Sequence, residues 1–497
     1  MAFNWLKKFR EKKKIPKKRS QAEDKGLLKL FNESYWIKFA VVSLSTLFLS
    51  FFLSGVIYGP SVGKELSSDV FILFLVLLAI QGILQIYLWL FEKDIFANNK
   101  KQLLLSVIIL LTVFLQSVIL HVPFFTKHAF TQFIFMAPFG LMLMTLFFPI
   151  RMSFIFAFVF GVYMGLMKRM IPEAVFIVPV ISAFSSIFMK EVRNRYQITK
   201  AGIYTSAVTL MLILIVHSMT GNFNLNDLKD YTFGALVTGL VSILLILTLP
   251  YILELIFREV TNVSLLELSD LNHKLLKELV MIAPGTYHHS ITVANIAEAA
   301  AEAIGARSLL VRVMGYYHDI GKLIKTEYFS ENEAGGKSMH LKLSASMSSL
   351  IIISHVKNGV DIARRYKLPR AIIDGIKEHH GTSLVYYFYK RAQDEVGEKE
   401  VVKEENFRYP GPKPQSKETA ILSVADTIEA ASRSLAEPSP SRIKGLVGEL
   451  LKDKYISGEL DECNLTFREL KIIKEVVIRL LTARFHTRPV YPEKTNA

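Results

Sequence analysis

Polar residues able to bind a metal recur in this sequence where helical periodicity calls for apolar ones. In RAIIDGIKEHHG, His379 and His380 follow Ile376 by three and four positions, on the stripe that faces a core, and Gly381 can close the helix. His355 comes after four buried-type residues in MSSLIIISHVKNGV, and Asp426 in AILSVADTIEAA sits among Ile421, Leu422, Ala425 and Ile428. Burying an unpaired carboxylate costs many kcal/mol unless it is neutralised, hydrogen-bonded or bound to a metal. Neutral imidazoles gathered around two carboxylates make a divalent-metal site the simplest answer. The other carboxylate is Asp319, next to His318 in YYHDIGK. Neighbours on an α-helix diverge by about 100°, so both can enter one site where a helix ends and the backbone turns, and Gly321 suggests such an end. The same reasoning covers His379-His380 before Gly381. Each motif alone is a common accident. In the order H…HD…H…HH…D, its first histidine drawn from the pair His288-His289, the set exceeds what hydrogen-bonded core histidines explain.

These residues need helices to hold them. From Gly285 onward, apolar periodic stretches are closed repeatedly by Gly or Pro, without a convincing alternating strand, which predicts an all-α domain over 285–485 and a tail over 486–497. Within it, RAQDEVGEKEVVKEEN (391–406) reads as a charged, mobile loop. The following FRYPGPKP, with three prolines, reads as a stiff segment ordered over something. Upstream, 258–284 is amphipathic, with Leu265, Leu268, Leu275 and Leu279 among its apolar positions, and reads as a helical linker ended by Pro284-Gly285. It is either a juxtamembrane connector or a dimerising, signal-transmitting helix.

Before the linker the composition changes. Eight segments approach the ~20 apolar residues that cross a bilayer: 36–58, 70–91, 102–122, 129–149, 152–168, 172–189, 201–219 and 233–257. They predict a polytopic helical membrane bundle over 36–257. The fifth and sixth are short and separated only by a Lys168-Arg169 turn, so an odd total stays open. Lys and Arg concentrate on the cytoplasmic side of membrane proteins. Starting inside, EKDIFANNKK and KEVRNRYQITK fall on that side, GPSVGKELSSD and TGNFNLNDLKD with one Lys each fall outside, and only Lys168-Arg169 breaks the pattern. An even number of spans places both termini in the cytoplasm of a cell membrane.

The chain has 497 residues, 51% of them hydrophobic, and a mean hydropathy of +0.33, which suits a membrane half joined to a soluble half. Its net charge of +15 is largely local: residues 1–30 carry eleven Lys/Arg against three Asp/Glu. A basic tail over 1–35, directly before an apolar segment, predicts attraction to anionic membrane lipid at about 1 kcal/mol per basic residue, not nucleic-acid binding. The single cysteine, Cys463, excludes an intramolecular disulfide. The first apolar stretch follows that long basic region without a small-residue cleavage site and reads as a retained span, so no signal peptide is expected.

The H…HD…D pattern resembles the HD hydrolase superfamily. The segments GTYHHSITVANIAEAAAEAIGA, YYHDIGK, IISHVKNGV, IKEHHGT, FRYPGPKP and SVADTIEAA together resemble one branch, the membrane-bound seven-transmembrane HD hydrolases of the PgpH-type cyclic di-AMP phosphodiesterases. The resemblance covers nearly all of 258–480. It implies a site of two divalent transition metal ions bridged by Asp319. One ion would be held by His289, His318, Asp319 and Asp426, the other by Asp319, His355, His379 and His380. His289 matches the ligand in the form H-S-x-x-V, leaving His288 a structural role, and His340 stands outside the set.

Mixed N/O ligation suits Mn or Fe better than Zn or Co. Two such ions can activate a bridging hydroxide for in-line phosphodiester displacement, so no nucleophilic Ser or Cys is needed. Asp319 and Lys322 are the catalytic candidates, with Lys322 either neutralising a phosphate oxygen or offsetting a helix dipole. Thr382, Arg408 and Tyr409 join Lys322 as substrate-binding candidates. The expected reaction is hydrolysis of cyclic di-AMP to pApA. Cyclic di-GMP is the nearest rival substrate, but its HD-GYP hydrolases carry a GYP motif after HH, where this chain has HHGTSLVYYFY. A nucleotide-sensing receptor without turnover is the alternative outside enzymology, and a homodimer through the linker or the HD domain is an expected partner. Two departures stand out: only about eleven residues separate the first two spans, where the family usually carries an extracytoplasmic domain, and KSMHLKLSAS has Leu341 and Ala345 where the family tends to have Asp and Pro.

Overall fold

The computed structural model describes residues 34–58, 66–168, 171–190, 192, 194–333, 338–396, 401–435 and 438–485. The predicted basic tail over 1–35 therefore lies almost wholly outside the described residues. Arg169, most of the first external loop and the tail over 486–497 lie outside them as well. The chain divides at Pro250-Tyr251 into two compact units, residues 191–195 going with the second.

The first unit is built of apolar helices: α1 Tyr35–Tyr58, α2 Leu66–Phe91, α3 Asn99–His121, α4 Ala137–Phe147, α5 Ile150–Lys168, α6 Ile171–Met189, α7 Arg195–Met219 and the start of α8, Leu228–Phe257. Seven of its segments are long and apolar enough to cross a membrane, the fourth being Ala129–Phe147. The remaining predicted span corresponds to α6, whose qualifying part, Ala174–Met189, is shorter and which contains Pro179. Outward-facing Trp36, Phe39, Phe71, Ile83, Phe176 and Leu240 are each more than half exposed, an apolar surface that belongs against lipid rather than water. α1 ends at Tyr58 and α2 begins at Leu66, which leaves no room for a folded domain between these two helices.

The fourth span is not continuous. A 3-10 turn, Ala129–Phe133, precedes α4, and the backbone between them is extended at Ile134. A broken helix inside a membrane needs other partners for its freed backbone groups. The Gln116 amide donates to the Ile134 carbonyl at 3.3 Å and accepts from the Met136 N–H at 2.9 Å, and Thr238 accepts from the Phe135 N–H at 3.1 Å. The Lys168 ammonium donates to the carbonyls of Gln132 at 2.6 Å and Ile134 at 2.8 Å and lies 3.8 Å from the Phe135 ring centroid. Lys168, which disturbed the charge pattern of the sequence, thus serves to close a helix break.

Among its described residues the second unit is built of helices joined by loops, with one isolated Leu384–Arg408 bridge. Beyond α8 come α9 Asn262–Leu268, α10 Lys274–Ile282, α11 Pro284–Ala303, α12 Ser308–Tyr317, α13 Ala345–Arg365, α14 Arg370–Glu378, α15 Tyr386–Val396, α16 Lys417–Arg433, α17 Pro440–Ile456 and α18 Phe467–Arg484. The linker differs from the single helix expected. It is two short helices, and Pro284 opens α11 instead of closing the linker, because a first-turn proline has no N–H to lose. Leu265, Leu275 and Leu279 are fully buried. Leu265, Leu275, Leu276 and Val260 belong to one apolar core with Val293 and Ala297 of α11, Val311 and Met314 of α12, Ile372 and Ile376 of α14, and Ile421 and Leu422 of α16. Each buried leucine contributes about 1.5–3 kcal/mol, so the linker's apolar face is occupied within its own unit.

Another correction concerns 391–406. Residues 391–396 complete α15, because Phe388 and Ala392 pack with Phe407 and Ala345, and the Arg391 guanidinium donates to the carbonyls of His340 and Leu343 at 3.1 and 2.9 Å. Residues 397–400 lie outside the described part of the chain.

Candidate metal centre

The site is assembled from helix ends. α12 stops at Tyr317, His318 keeps helical angles, and Asp319 turns the chain (φ −105°, ψ 12°) into a 3-10 segment, Ile320–Ile324. The departure from α geometry lets adjacent side chains converge. Gly321 plays a different part from the one expected: it has no unusual φ, but a Cβ there would lie 1.8 Å from the His355 carbonyl oxygen. It permits close approach to α13, which carries His355. At the second pair, α14 ends at Glu378, His379 caps it, and Gly381 closes the turn in the left-handed region at φ +54°. Asp426 comes from the middle of α16, whose start is fixed by a Ser416–Thr419 capping box. His289 comes from the second turn of α11.

All seven predicted ligands meet. His289, His318, Asp319, His355, His379 and Asp426 are buried, and His380 is partly so. Their donor atoms form three overlapping groups able to hold a metal ion: His289, His318 and Asp426; His318, Asp319 and His379; and His355, His379 and His380. The orientation of Asp319 is specific. Its Oδ2 faces His318 Nε2 at 3.3 Å and His289 Nε2 at 3.5 Å, whereas its Oδ1 faces His355 Nε2 at 3.3 Å and His379 Nε2 at 3.9 Å. Asp426 offers Oδ1 to His289 at 3.0 Å and to His318 at 3.6 Å, and Oδ2 to His380 Nδ1 at 3.5 Å.

Three ring nitrogens on the far side are fixed by backbone carbonyls. The Nδ1 of His318 meets Gly315 O at 2.8 Å, that of His355 meets Ile352 O at 2.6 Å, and that of His379 meets Ile376 O at 2.9 Å. A carbonyl accepts only, so each Nδ1 carries a hydrogen, and whenever the ring is neutral its Nε2 lone pair faces inward, the tautomer a metal requires. His318 Nε2 and Asp319 Oδ1 are buried without a hydrogen-bond partner, a costly arrangement unless a ligand completes it. The residues present fit a bound metal ion.

Electrostatics divide the histidines. Burial pushes His379 down to about 3, with help from His318 and His355, and also lowers His355 and His380. Burial opposes charge on His318 too, but Asp319 and Asp426 outweigh it and hold its pKa up at about 10; His289 is raised against the same burial by Asp426 and Glu429. Asp319 and Asp426 stay ionised well below the usual range despite burial, chiefly through Lys322 and His318 for the first and His289 and His318 for the second.

Lys322 reaches into the centre, its Nζ 2.8 Å from Asp319 Oδ2 and 2.7 Å from Glu331 Oε1. The Tyr409 ring stacks on His380 with centroids 4.2 Å apart, so the proline-rich segment is ordered over the site itself. Thr382 and Arg408 have internal partners. Glu459 accepts from the Thr382 N–H at 2.9 Å and from its hydroxyl, while Arg408 donates to the Thr382 carbonyl at 2.9 Å and to Glu404. His288 is exposed, edge-on to Tyr287, and so has no core role. His340 is buried outside the ligand groups, with Nε2 2.7 Å from Tyr328 O. Two residues that sequence reasoning passed over matter here. Glu429 binds His289 Nδ1 at 2.5 Å and could have been found three positions after Asp426 on the same helix face; Glu331, the partner of Lys322, lies in irregular sequence with no such signal.

A family model described as an HD domain matches residues 286–431, and one described as a 7TM receptor with intracellular HD hydrolase matches residues 67–261. Each match covers less than half of the chain, the first within the second unit and the second mainly over the apolar helices. The HD match spans all seven predicted ligands. Among its relatives, the cyclic-di-AMP phosphodiesterase PgpH of Bacillus subtilis (strain 168) is 42% identical over 319 residues, covering 64% of this chain and 44% of the relative. The protein of the same name from Listeria monocytogenes serotype 1/2a (strain 10403S) is 39% identical over 312 residues, covering 63% and 43%. The chain thus spans less than half the length of these curated relatives. The crystal structure of the L. monocytogenes PgpH HD domain in complex with cyclic-di-AMP matches 44% of this chain and all of its own, at 46% identity and a TM-score of 0.42.

Proposed function

We propose that this protein is a membrane-anchored, metal-dependent phosphodiesterase that opens cyclic di-AMP to the linear dinucleotide pApA. The observation that carries the reading is the Asp319 carboxylate, which turns one oxygen toward His289 and His318 and the other toward His355 and His379. That is the arrangement a carboxylate bridging two ions needs, and it lies in a chain 42% and 39% identical to two proteins named as cyclic-di-AMP phosphodiesterases. His289, His318, Asp319 and Asp426 would hold one ion, and Asp319, His355, His379 and His380 the other. The all-N/O ligand set suits Mn or Fe. When bound, such ions activate water and neutralise charge on the phosphodiester.

The chain's own groups do the rest. Lys322 keeps a positive charge beside Asp319, where a phosphate oxygen can be neutralised as charge develops. Tyr409 walls the site over His380, and Thr382 and Arg408 act by fixing the turn that carries His379 and His380.

The HD domain lies on the cytoplasmic side in this reading. The match over 67–261 encloses seven apolar helices only when α6 is counted with α2–α5, α7 and α8. With α1 ahead of them the spans total eight, and the basic segments around residues 92–101 and 190–200 fall on the side of the HD domain. Glu92 and Arg151, bonded at 3.0 Å through Arg151 Nη2, then share that side.

A product assay tests the function. Full-length protein in detergent, reconstituted with Mn and offered cyclic di-AMP, cyclic di-GMP and guanosine polyphosphates separately, is expected to release pApA. Cleavage of cyclic di-GMP with cyclic di-AMP untouched would reverse the assignment, and binding without turnover in metal-loaded protein would make the chain a receptor.

A further inference from the structure

His289 differs from the other ligands in what stands behind it. His318, His355 and His379 each lean on a neutral backbone carbonyl. His289 leans on a carboxylate: its Nδ1 is 2.5 Å from Glu429 Oε2. Glu429 is wholly buried, and its other oxygen accepts from Arg433 Nε at 2.8 Å and Arg484 Nη1 at 3.1 Å. The two guanidiniums satisfy Oε1 and keep the carboxylate charged in a dry environment, which leaves Oε2 a strong acceptor for the ring N–H. Arg433 is four residues on along α16, while Arg484 arrives from the last turn of α18.

Resting on the metal reading above, we propose that Glu429 is a positioning residue that fixes the His289 tautomer and strengthens it as a donor, selectively supporting the ion held by His289, His318 and Asp426. Through Arg484, the end of α18 becomes part of that support. A carboxylate behind a ligating imidazole orients the ring and raises its basicity, and losing one typically lowers metal affinity about 10–100-fold. Behind the rings of His355 and His379 the described contacts place only the carbonyls of Ile352 and Ile376, so the effect should be one-sided.

The test is Mn(II) titration of chelator-stripped full-length protein in detergent, with free Mn(II) followed by its electron paramagnetic resonance signal. Wild type is expected to bind two ions. Glu429→Gln should weaken one of them about 10–100-fold and leave the other within about twofold. In a His289→Ala background the same substitution should add no further loss. Arg484→Ala, which leaves the carboxylate in place and removes a half-exposed partner, should weaken the same ion by less, and it serves if Glu429→Gln fails to fold. Two wild-type affinities in Glu429→Gln, or a full extra loss in the His289→Ala background, would overturn the inference alone. A wild-type protein that binds no Mn(II) would remove the metal reading as well.

Discussion

Replacing Gly321 by alanine tests whether the metal centre depends on two backbones lying closer than side chains allow. The new Cβ would stand 1.8 Å from the His355 carbonyl oxygen and 2.5 Å from the Gly359 nitrogen, both backbone atoms that cannot swing aside. Ordinary contact begins at 3.4 Å, so the 3-10 turn and α13 must part by the difference between 3.4 and 1.8 Å, about 1.6 Å. Asp319 immediately precedes that turn and His355 rides on α13, so the displacement falls on the 3.3 Å gap between Asp319 Oδ1 and His355 Nε2. Functional constellations tolerate about 0.5 Å, and a misplacement of 1 Å can cost about 100-fold in rate. Overpacking itself costs about 1–3 kcal/mol, or roughly 2–12 °C of melting temperature for a unit of this size.

The assay pairs cyclic di-AMP hydrolysis by Mn-loaded full-length protein with the melting temperature of chelator-treated protein. Gly445→Ala is the control, because a Cβ there meets nothing within 4 Å and alanine favours a helix by about 1 kcal/mol. The expected outcome is loss of activity by about 100-fold with a lower melting temperature for Gly321→Ala, and neither change for Gly445→Ala. A Gly321→Ala protein with wild-type rate and melting temperature would refute the close-approach account.

Asp319→Asn should reduce hydrolysis to background and lower Mn(II) affinity at both positions, since an amide cannot present two anionic oxygens; loss at one position only would exclude the bridging role. In chelator-treated protein, Asp319 and Asp426 are depressed and Glu429 is lowered to about 2 against its own burial, mainly by His289 and Arg433. Their stabilisation is therefore present above about pH 4 and lost as pH falls below it. His318, raised to about 10, contributes below its unfolded value near 6.5 and is lost as pH rises through 10. The melting temperature should thus fall at both ends, and saturating Mn(II) should remove the alkaline limb, because a ligated His318 is already neutral; an alkaline limb unchanged by metal contradicts this. In the membrane unit, Lys168→Met removes two bonds to the Gln132 and Ile134 carbonyls, each worth about 1.5–3 kcal/mol to a charged donor. The full-length protein should melt earlier in detergent, and an unchanged melting curve would show that the helix break needs no cation.

Why so much of the centre was legible, and some of it not, comes down to where a polar residue stands in a helical pattern. His379, His380 and Asp426 occupy stripe positions beside Ile376, Leu422 and Ala425, and a charged or imidazole group on a core stripe has few stable explanations. Position on the stripe therefore pointed to this cluster, in which the seven predicted ligands lie together. Gly321 shows the limit of such reasoning. Sequence says that a glycine is tolerated and not why: it was expected to turn the chain, but the turn is made at Asp319, and the glycine is needed because α13 passes against it. A contact across more than thirty residues leaves no mark in local periodicity.

The same distinction separates Glu429 from Thr382 and Arg408. Glu429 is three positions from Asp426, so the helix that buries one turns the other toward the same site, and its two arginines become intelligible once His289 is placed. Proximity to ligand motifs marks Thr382 and Arg408 as substrate contacts, yet their polar atoms meet Glu459 and Glu404, partners far along the chain or across a turn. A metal centre built on helix ends requires such holding residues, because the last turn of a helix leaves carbonyls and side chains without intrahelical partners. The turn after His380 is held by Glu459 and Arg408, the turn after His318 by Lys322 and Glu331, and His289, in the second turn of α11, by Glu429. Substitutions in this outer set should change metal affinity before they change the fold, whereas substitutions among the seven ligands should change both.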